Sequence, residues 1–149
     1  PIITLTNTGS YAATEAQEKA GVAQAAALLI SSFANTDVPK INIITGKAYG
    51  NAYISMNSKQ IGCDIAYGWT SADIALISPE ANVLLMYKDD IKAAEDPVAK
   101  RQELIEEYRK QYQTPMYAAS CGMIDDVITP GSTRARIISA LEILSQKLV

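Results

Sequence analysis

Two short stretches of the sequence combine residue types and spacing that suit anion chemistry. Residues 7–11 (NTGSY) follow the β-branched run IITLT at residues 2–6, and residues 47–52 (KAYGNA) follow the apolar run INIIT at residues 41–45. In each case a strand leads into a helix. The first turn of a helix presents backbone N–H groups without intrahelical partners and the positive end of the helix dipole. Both stretches are therefore candidate oxyanion holes. Preorganised backbone donors need neither histidine nor metal, and losing one typically costs about 2.7 to 4 kcal/mol of transition-state stabilisation. A plainer reading, that small residues here only permit turns, stays open on pattern alone.

Other chemistry is excluded by composition. The chain has no histidine, which removes Ser–His and Cys–His dyads, histidine metal ligands and histidine acid–base work. Cys63 and Cys121 form no Cys-x-x-Cys pair, so two free thiols and no metal are expected. Asp125 and Asp126 are adjacent on an extended segment and point to opposite faces, which suits solvated or capping charges rather than a shared proton. No Gly-rich phosphate loop, Walker lysine, zincin helix or EF-hand is present. Thirteen basic residues against sixteen acidic ones give a net charge of −3 with no basic block, so nucleic-acid binding is not expected. The longest apolar run, residues 25–30, falls far short of the roughly 20 residues needed to cross a bilayer. With no signal peptide in view, a cytoplasmic protein is expected.

The elements that must hold these loops can be read from periodicity. A chain of 149 residues is one domain's worth, able to bury roughly 68 to 70% of its unfolded surface. Residues 2–6 and 41–45 read as buried strands of a sheet covered on both faces. Between them Thr14 and Gln17 fit a capping box, and Val22, Ala26, Leu29 and Phe33 recur at helical spacing, predicting one helix over residues 14–34. Gly21 inside it costs about 1 kcal/mol relative to alanine and is expected to mark the approach of another backbone. Residues 47–50 should form a tight loop before a short buried helix at residues 51–57. Residues 63–67 and 73–77 read as further strands around a turn at residues 68–71, and Pro79 opens a helix through Met86. Asp96–Pro97 starts a charged helix with Leu104, Ile105, Tyr108 and Tyr112 on one face and a Glu106–Lys110 pair on the other. Pro115 begins a short helix, residues 124–128 are extended, and Ser132 caps a last helix with Ile137, Ile138, Leu141 and Leu144 inward. Most of the tyrosines lie at packing positions, with Tyr49 and Tyr53 flanking the second loop. Trp69 suits either packing or a partner subunit. The result is a single α/β domain with a helical C-terminal third. The start at Pro1, inside a strand-like run, reads as a cut edge.

At the second loop the sequence resembles a known family. VPKINIITGKAYGNAY (residues 38–53) is similar to the signature around AYGGAY in carboxyltransferase subunits of biotin-dependent carboxylases and decarboxylases: propionyl-CoA carboxylase beta, acetyl-CoA carboxylase carboxyltransferase and methylmalonyl-CoA decarboxylase alpha. The similarity extends to Ala16-Gln17-Glu18 with Gly21, to Asp64, Tyr67 and Trp69, and to residues 94–137, especially Tyr117-Ala118-Ala119, Gly122, Ile124-Asp125, Pro130 and Thr133-Arg134. The resemblance implies a crotonase-like (ClpP-like) spiral of ββα units. It further implies that residues 1–149 form one C-terminal-type, biotin-side domain, with the CoA-side first domain absent. The implied function is the biotin-side half of an acyl-CoA carboxyltransferase, moving a carboxyl group between carboxybiotin and an acyl-CoA in either direction. The implied partners are a CoA-binding carboxyltransferase half, a biotin carrier protein that bears the cofactor, and further copies in a homo-oligomer. No biotin is expected to be attached to this chain. Backbone N–H groups of Asn51 and Ala52 would hold the ureido oxygen of biotin, with Gly50, Ser10, Tyr11 and Tyr53 around it.

Three departures accompany the match. Asn51 stands where the family has the second glycine of AYGGAY, placing a side chain beside the expected ureido ring. The first loop has Asn7, Gly9, Ser10 and Tyr11 where the family has an aspartate, a proline and a shifted glycine. Gly46 replaces a basic residue. A second reading is therefore open beside the enzyme half: a diverged non-catalytic paralogue that acts as a binding or assembly subunit.

Overall fold

Five parallel strands carry the helices around them. The computed structural model describes residues 1–12 and 14–148; Ala13, within the first expected loop, and Val149 lie outside the described residues. In chain order the elements are β1 (Ile2–Thr8), α1 (Glu15–Lys19), α2 (Val22–Ala34), β2 (Lys40–Tyr49), α3 (Gly50–Ser55), β3 (Ile65–Trp69), β4 (Asp73–Ala75), α4 (Pro79–Met86), α5 (Lys88–Ala93), α6 (Pro97–Tyr112), α7 (Pro115–Ser120), β5 (Asp126–Ile128) and α8 (Thr133–Ile143), with short 3-10 turns between. The sheet order is β1-β2-β3-β5, and β4 also pairs with β2.

Strand β2 is the spine. Its first half pairs with β3 from Ile41 to Ile44, and its second half pairs with β4 from Lys47 to Tyr49, while β1 runs along its other edge. Every pair is parallel, so the intervening helices fall on the faces of the sheet and β2 is apolar without alternation. Ile41, Ile43, Ile44 and Ala48 are all 0% exposed. Ile44, Ala48, Tyr53 and Ile74 share one core cluster; Ile41, Ile43, Tyr67 and Ala140 share another under α8. Trp69 packs against both, and its indole N–H donates to Thr133 Oγ1 at 2.9 Å, so packing accounts for this residue.

Several expectations need correction. The segment at residues 2–6 is a strand but not a buried one: β1 is an edge strand, with Ile3 42% and Leu5 64% exposed. The single helix over residues 14–34 is two. Gly21 takes a φ of 80°, a left-handed conformation that ends α1 and serves as N-cap of α2. No backbone approaches it; a Cβ there would meet only Gln24 Oε1 at 3.5 Å. Lys47, Ala48 and Tyr49 belong to β2 rather than to a loop, because β4 supplies a partner ladder. The strands expected at residues 63–67 and 73–77 shift to Ile65–Trp69 and Asp73–Ala75. In α8 Ile138 is exposed and Ala140 is buried in its stead, and Ser132 makes no side-chain cap. On α6 the structure has no Glu106–Lys110 pair; Gln102 donates to Glu106 and Arg109 pairs with Glu80 of α4.

Candidate functional site

The first candidate loop leaves β1 at a shift in pairing register between Thr6 and Thr8. This frees the side chain of Asn7, whose Oδ1 accepts the Lys47 N–H at 2.9 Å. A Cβ on residue 46 would lie 2.5 Å from that oxygen, so the glycine makes room for Asn7. Two of the sequence departures, Asn7 and Gly46, are thus in direct contact. Further along the loop the Tyr11 hydroxyl and Ser55 Oγ are 2.6 Å apart, and Ser55 in turn donates to the Ala52 carbonyl at 3.0 Å. Polar contacts therefore bind the first loop to the second.

The second junction turns on Gly50. Its φ of 57° lets the chain leave β2 and enter α3 at once, which a residue with a Cβ adopts only under strain. The N-cap residue Tyr49 gives no side-chain bond to the first turn of α3, so the amides of Gly50, Asn51 and Ala52 belong to the set with no intrahelical acceptor. Ser10 sits against Gly50, its Oγ 3.4 Å from where a Cβ would be.

Ser10, Tyr11, Gly50 and Asn51 line one cavity of about 700 Å³. Asn51 is exposed there, whereas the Ala52 side chain is 3% exposed and packs into the core. Tyr53 departs from expectation: it is 0% exposed, donates to the Met123 carbonyl at 3.3 Å, and lies under the cavity instead of lining it. Burial, with the nearby Cys63, pushes its phenol up to about 12. The opposite wall came from residues that pattern reasoning did not select. Leu76 and Ile77, in the link from β4 to α4, are 53% and 46% exposed and face the cavity together with Ser78 and Val22. Their signal was two apolar residues between a short strand and a proline-started helix, which reads as strand burial unless the exposure is known.

Two neighbouring concavities complete the region. A polar cleft of about 360 Å³ shares Ser10 and Ser78 with the cavity and is lined also by Lys47, Tyr49, Asp73 and Arg109. On the far side of Leu76 and Ile77 lies an apolar cavity of about 480 Å³ walled by Tyr108, Tyr112 and Tyr117, whose rings follow one another at 5.0 and 5.3 Å. Asp125 accepts the Ala66 N–H and pairs with Lys59, while Asp126 pairs with Arg136, so these adjacent carboxylates serve separate structural contacts. Among the described residues no group of three His, Cys, Asp or Glu could hold a metal, and no helix is long and apolar enough to cross a membrane.

Comparison with known proteins gives this geometry a family. The model of the carboxyl transferase domain matches residues 1–149. The carboxyltransferase subunit of propionyl-CoA carboxylase from Haloferax mediterranei is 42% identical over 147 residues, which cover 99% of this chain and 28% of that protein. The 12S subunit of methylmalonyl-CoA carboxyltransferase from Propionibacterium freudenreichii subsp. shermanii is 38% identical, with 99% of this chain and 28% of that one covered. The crystal structure of transcarboxylase 12S, described as a hexamer with methylmalonyl-coenzyme A and methylmalonic acid bound, superposes with a TM-score of 0.91 at 38% identity over 97% of this chain and 28% of that chain. The chain thus spans somewhat over a quarter of the length of these relatives. Its fold is the expected crotonase-like α/β fold with a mostly helical C-terminal third. The chain belongs to the carboxyl transferase domain family.

Proposed function

We propose that this chain is the biotin-side half of an acyl-CoA carboxyltransferase. It would move a carboxyl group between biotin on a carrier protein and an acyl-CoA held by a second, CoA-binding carboxyltransferase domain. The observation that carries the reading is the convergence of Ser10, Tyr11, Gly50 and Asn51 on one cavity at the start of α3. The residues present suit biotin, a compact uncharged bicycle with one oxygen that attracts donors. Val22, Leu76 and Ile77 offer apolar walls, while the Ser10 hydroxyl and the first-turn amides of α3 offer donors. When bound, biotin supplies the carboxyl carrier. The amides of Asn51 and Ala52 would hold its ureido oxygen, a task for fixed dipoles in a partly dry site. Gly50 shapes the turn, Ser10 closes against it, and Tyr53 supports α3 from the core without touching the ligand. The names of the relatives point to a short branched or unbranched acyl group, and the hexamer of the transcarboxylase points to assembly of several copies.

One observation favours the second reading, a non-catalytic binding or assembly subunit: the exposed Asn51 side chain at the cavity. Both readings meet the same test. The purified protein, in its native assembly and supplied with the CoA-binding half, a carboxylated biotin carrier and propionyl-CoA, is assayed for carboxyl transfer. Transfer that falls at least tenfold in Gly50→Val supports the enzyme reading. No transfer by a folded assembly that binds neither biotin nor its carrier overturns it.

A further inference from the structure

Strand β2 changes partner part-way along its length. Ile41 to Ile44 pair with β3 and Lys47 to Tyr49 pair with β4, so Thr45 and Gly46 form a joint between two stretches of sheet. Along its other edge β2 meets β1, where Thr6 stands opposite Ile44 and Thr8 opposite Ala48. Three residues of β2, Thr45 to Lys47, thus stand against a single residue of β1, Asn7. Extra residues of this kind make a bulge, which interrupts the ladder and bends the strand that carries them. Bulges are frequent beside active sites because they re-aim whatever follows.

Side chains bridge the two strands at this bend. Thr45 Oγ1 donates to the Thr6 carbonyl at 3.3 Å, and the Lys47 N–H donates to Asn7 Oδ1 at 2.9 Å. Gly46 leaves the room: an added Cβ would lie 2.5 Å from Asn7 Oδ1 and 2.8 Å from its Cγ. The Asn7 side chain therefore fills the bend, with the backbone of Gly46 against it and the Lys47 amide bound to it. Lys47 is the first residue of the β4 ladder, and three residues later Gly50 takes the φ of 57° that opens α3. The core grips this stretch through Ala48, which is 0% exposed, whereas Lys47 is exposed and Tyr49 half-buried. The direction in which β2 leaves the joint is what brings Gly50 and Asn51 to the cavity.

We infer that Asn7 is a positioning residue: by filling the bulge and binding the Lys47 amide it sets the bend of β2, and through it the place of Gly50 and Asn51. Asn7 is not among the residues that line the cavity, so it acts through β2. A shift of about 1 Å at a reacting centre can cost on the order of a hundredfold in rate, so a side chain outside the cavity can govern turnover. The inference rests on the proposed function for what the cavity holds, while the geometry of the bend stands apart from it.

The test compares three variants in the native assembly, supplied with the CoA-binding half and a carboxylated carrier, by hydrogen exchange and by carboxyl transfer. Asn7→Asp keeps an acceptor for the Lys47 N–H, Asn7→Leu keeps the bulk without the acceptor, and Gly46→Ala drives Asn7 out with its Cβ. Asn7→Leu and Gly46→Ala should each speed exchange over residues 45–52 at least fivefold and lower kcat at least tenfold, with KM for the acyl-CoA within twofold. Asn7→Asp should stay within threefold of the parent in both readouts. A role in folding alone would lower thermal stability and leave kcat of the folded protein unchanged; that result overturns the inference, as does Asn7→Asp being as impaired as Asn7→Leu. If the parent transfers no carboxyl group, the preceding reading fails by itself and exchange decides this one: acceleration over residues 45–52 in Asn7→Leu and Gly46→Ala but not in Asn7→Asp sustains it, and any other pattern overturns it.

Discussion

The two strand-to-helix junctions that frame the cavity are held in different ways. At the β2–α3 junction Ile43, Ile44, Ala48 and Tyr53 are all 0% exposed, and the turn at Gly50 rests on a filled core. At the β1–α1 junction the strand is an edge, α1 and α2 contain no buried residue, and Leu28 is 70% exposed. Its loop is hung by particular polar contacts, Asn7 to Lys47 and Tyr11 to Ser55. Local opening is cheapest where few apolar contacts must break. The amide-bearing wall of the cavity thus rests on the better-packed support, and the Ser10–Tyr11 wall on fewer apolar contacts.

The largest effect should separate the cores of the two junctions. Ile43→Ala removes a fully buried side chain of β2 and should cost about 2 to 5 kcal/mol in urea unfolding. Leu28→Ala on α2 should stay within about 0.5 kcal/mol. Equal losses would mean that α2 is packed in the native assembly and would remove the contrast. Gly50→Ala comes next: a Cβ at a φ of 57° should cost about 1 to 2 kcal/mol. The same variant should weaken biotin binding, read by calorimetry, because the turn must shift. Tyr11→Phe deletes the hydroxyl paired with Ser55 and should cost about 1 kcal/mol. Its sharper signature is faster hydrogen exchange in the Tyr11 loop and α1 with β2 and α3 unchanged; uniform acceleration would show the two walls to be one cooperative unit.

A pH effect bears on the opposite end of β2, where Asp64 meets Lys40. Burial alone would raise the Asp64 carboxyl, but the Lys147 ammonium and the Lys40 N–H, which bonds it at 2.8 Å, outweigh burial and hold it below the usual carboxylate range. A carboxyl depressed in the folded state stabilises above its unfolded pKa of about 3.9, and that contribution is lost as pH falls through the folded value. Asp64→Asn should therefore flatten the acid limb of the stability profile below about pH 4 while leaving the alkaline limb alone. The smallest effect concerns Asn51→Gly. If the side chain crowds the ligand, calorimetry should show modestly tighter biotin binding, and an unchanged affinity would clear Asn51 of obstructing the site.

Legibility followed the range of the interactions. Helices α4 and α6 stand where their local signals put them, since Ser78 caps Ala81 and Asp96 caps Val98 and Ala99, each ahead of a proline. The break at Gly21 was not legible, because the apolar period runs on through it while the left-handed φ leaves no mark on spacing. The extension of β2 through Tyr49 depends on pairing with β4, more than twenty residues away in sequence. The two loops could be nominated one by one from their strand-to-helix pattern, whereas the grouping of Ser10, Tyr11, Gly50 and Asn51 around one ligand came from the family resemblance. Tyr53 could not be excluded that way, since helical position alone does not say which face meets the core.

By itself the sequence determined the α/β class, the buried apolar run that becomes β2, the helices capped ahead of Pro79 and Pro97, and the two loops rich in backbone donors. These follow from short-range chemistry: rotamer and φ preferences, caps, and a two- or 3.6-residue period. Only the tertiary structure decided that β1 is an edge, that Leu76 and Ile77 wall the cavity, and that Lys47, Asp73 and Arg109 meet in one cleft. Burial and the meeting of side chains from β2, β4 and α6 depend on which distant segments arrive beside them, and no local pattern encodes that arrival.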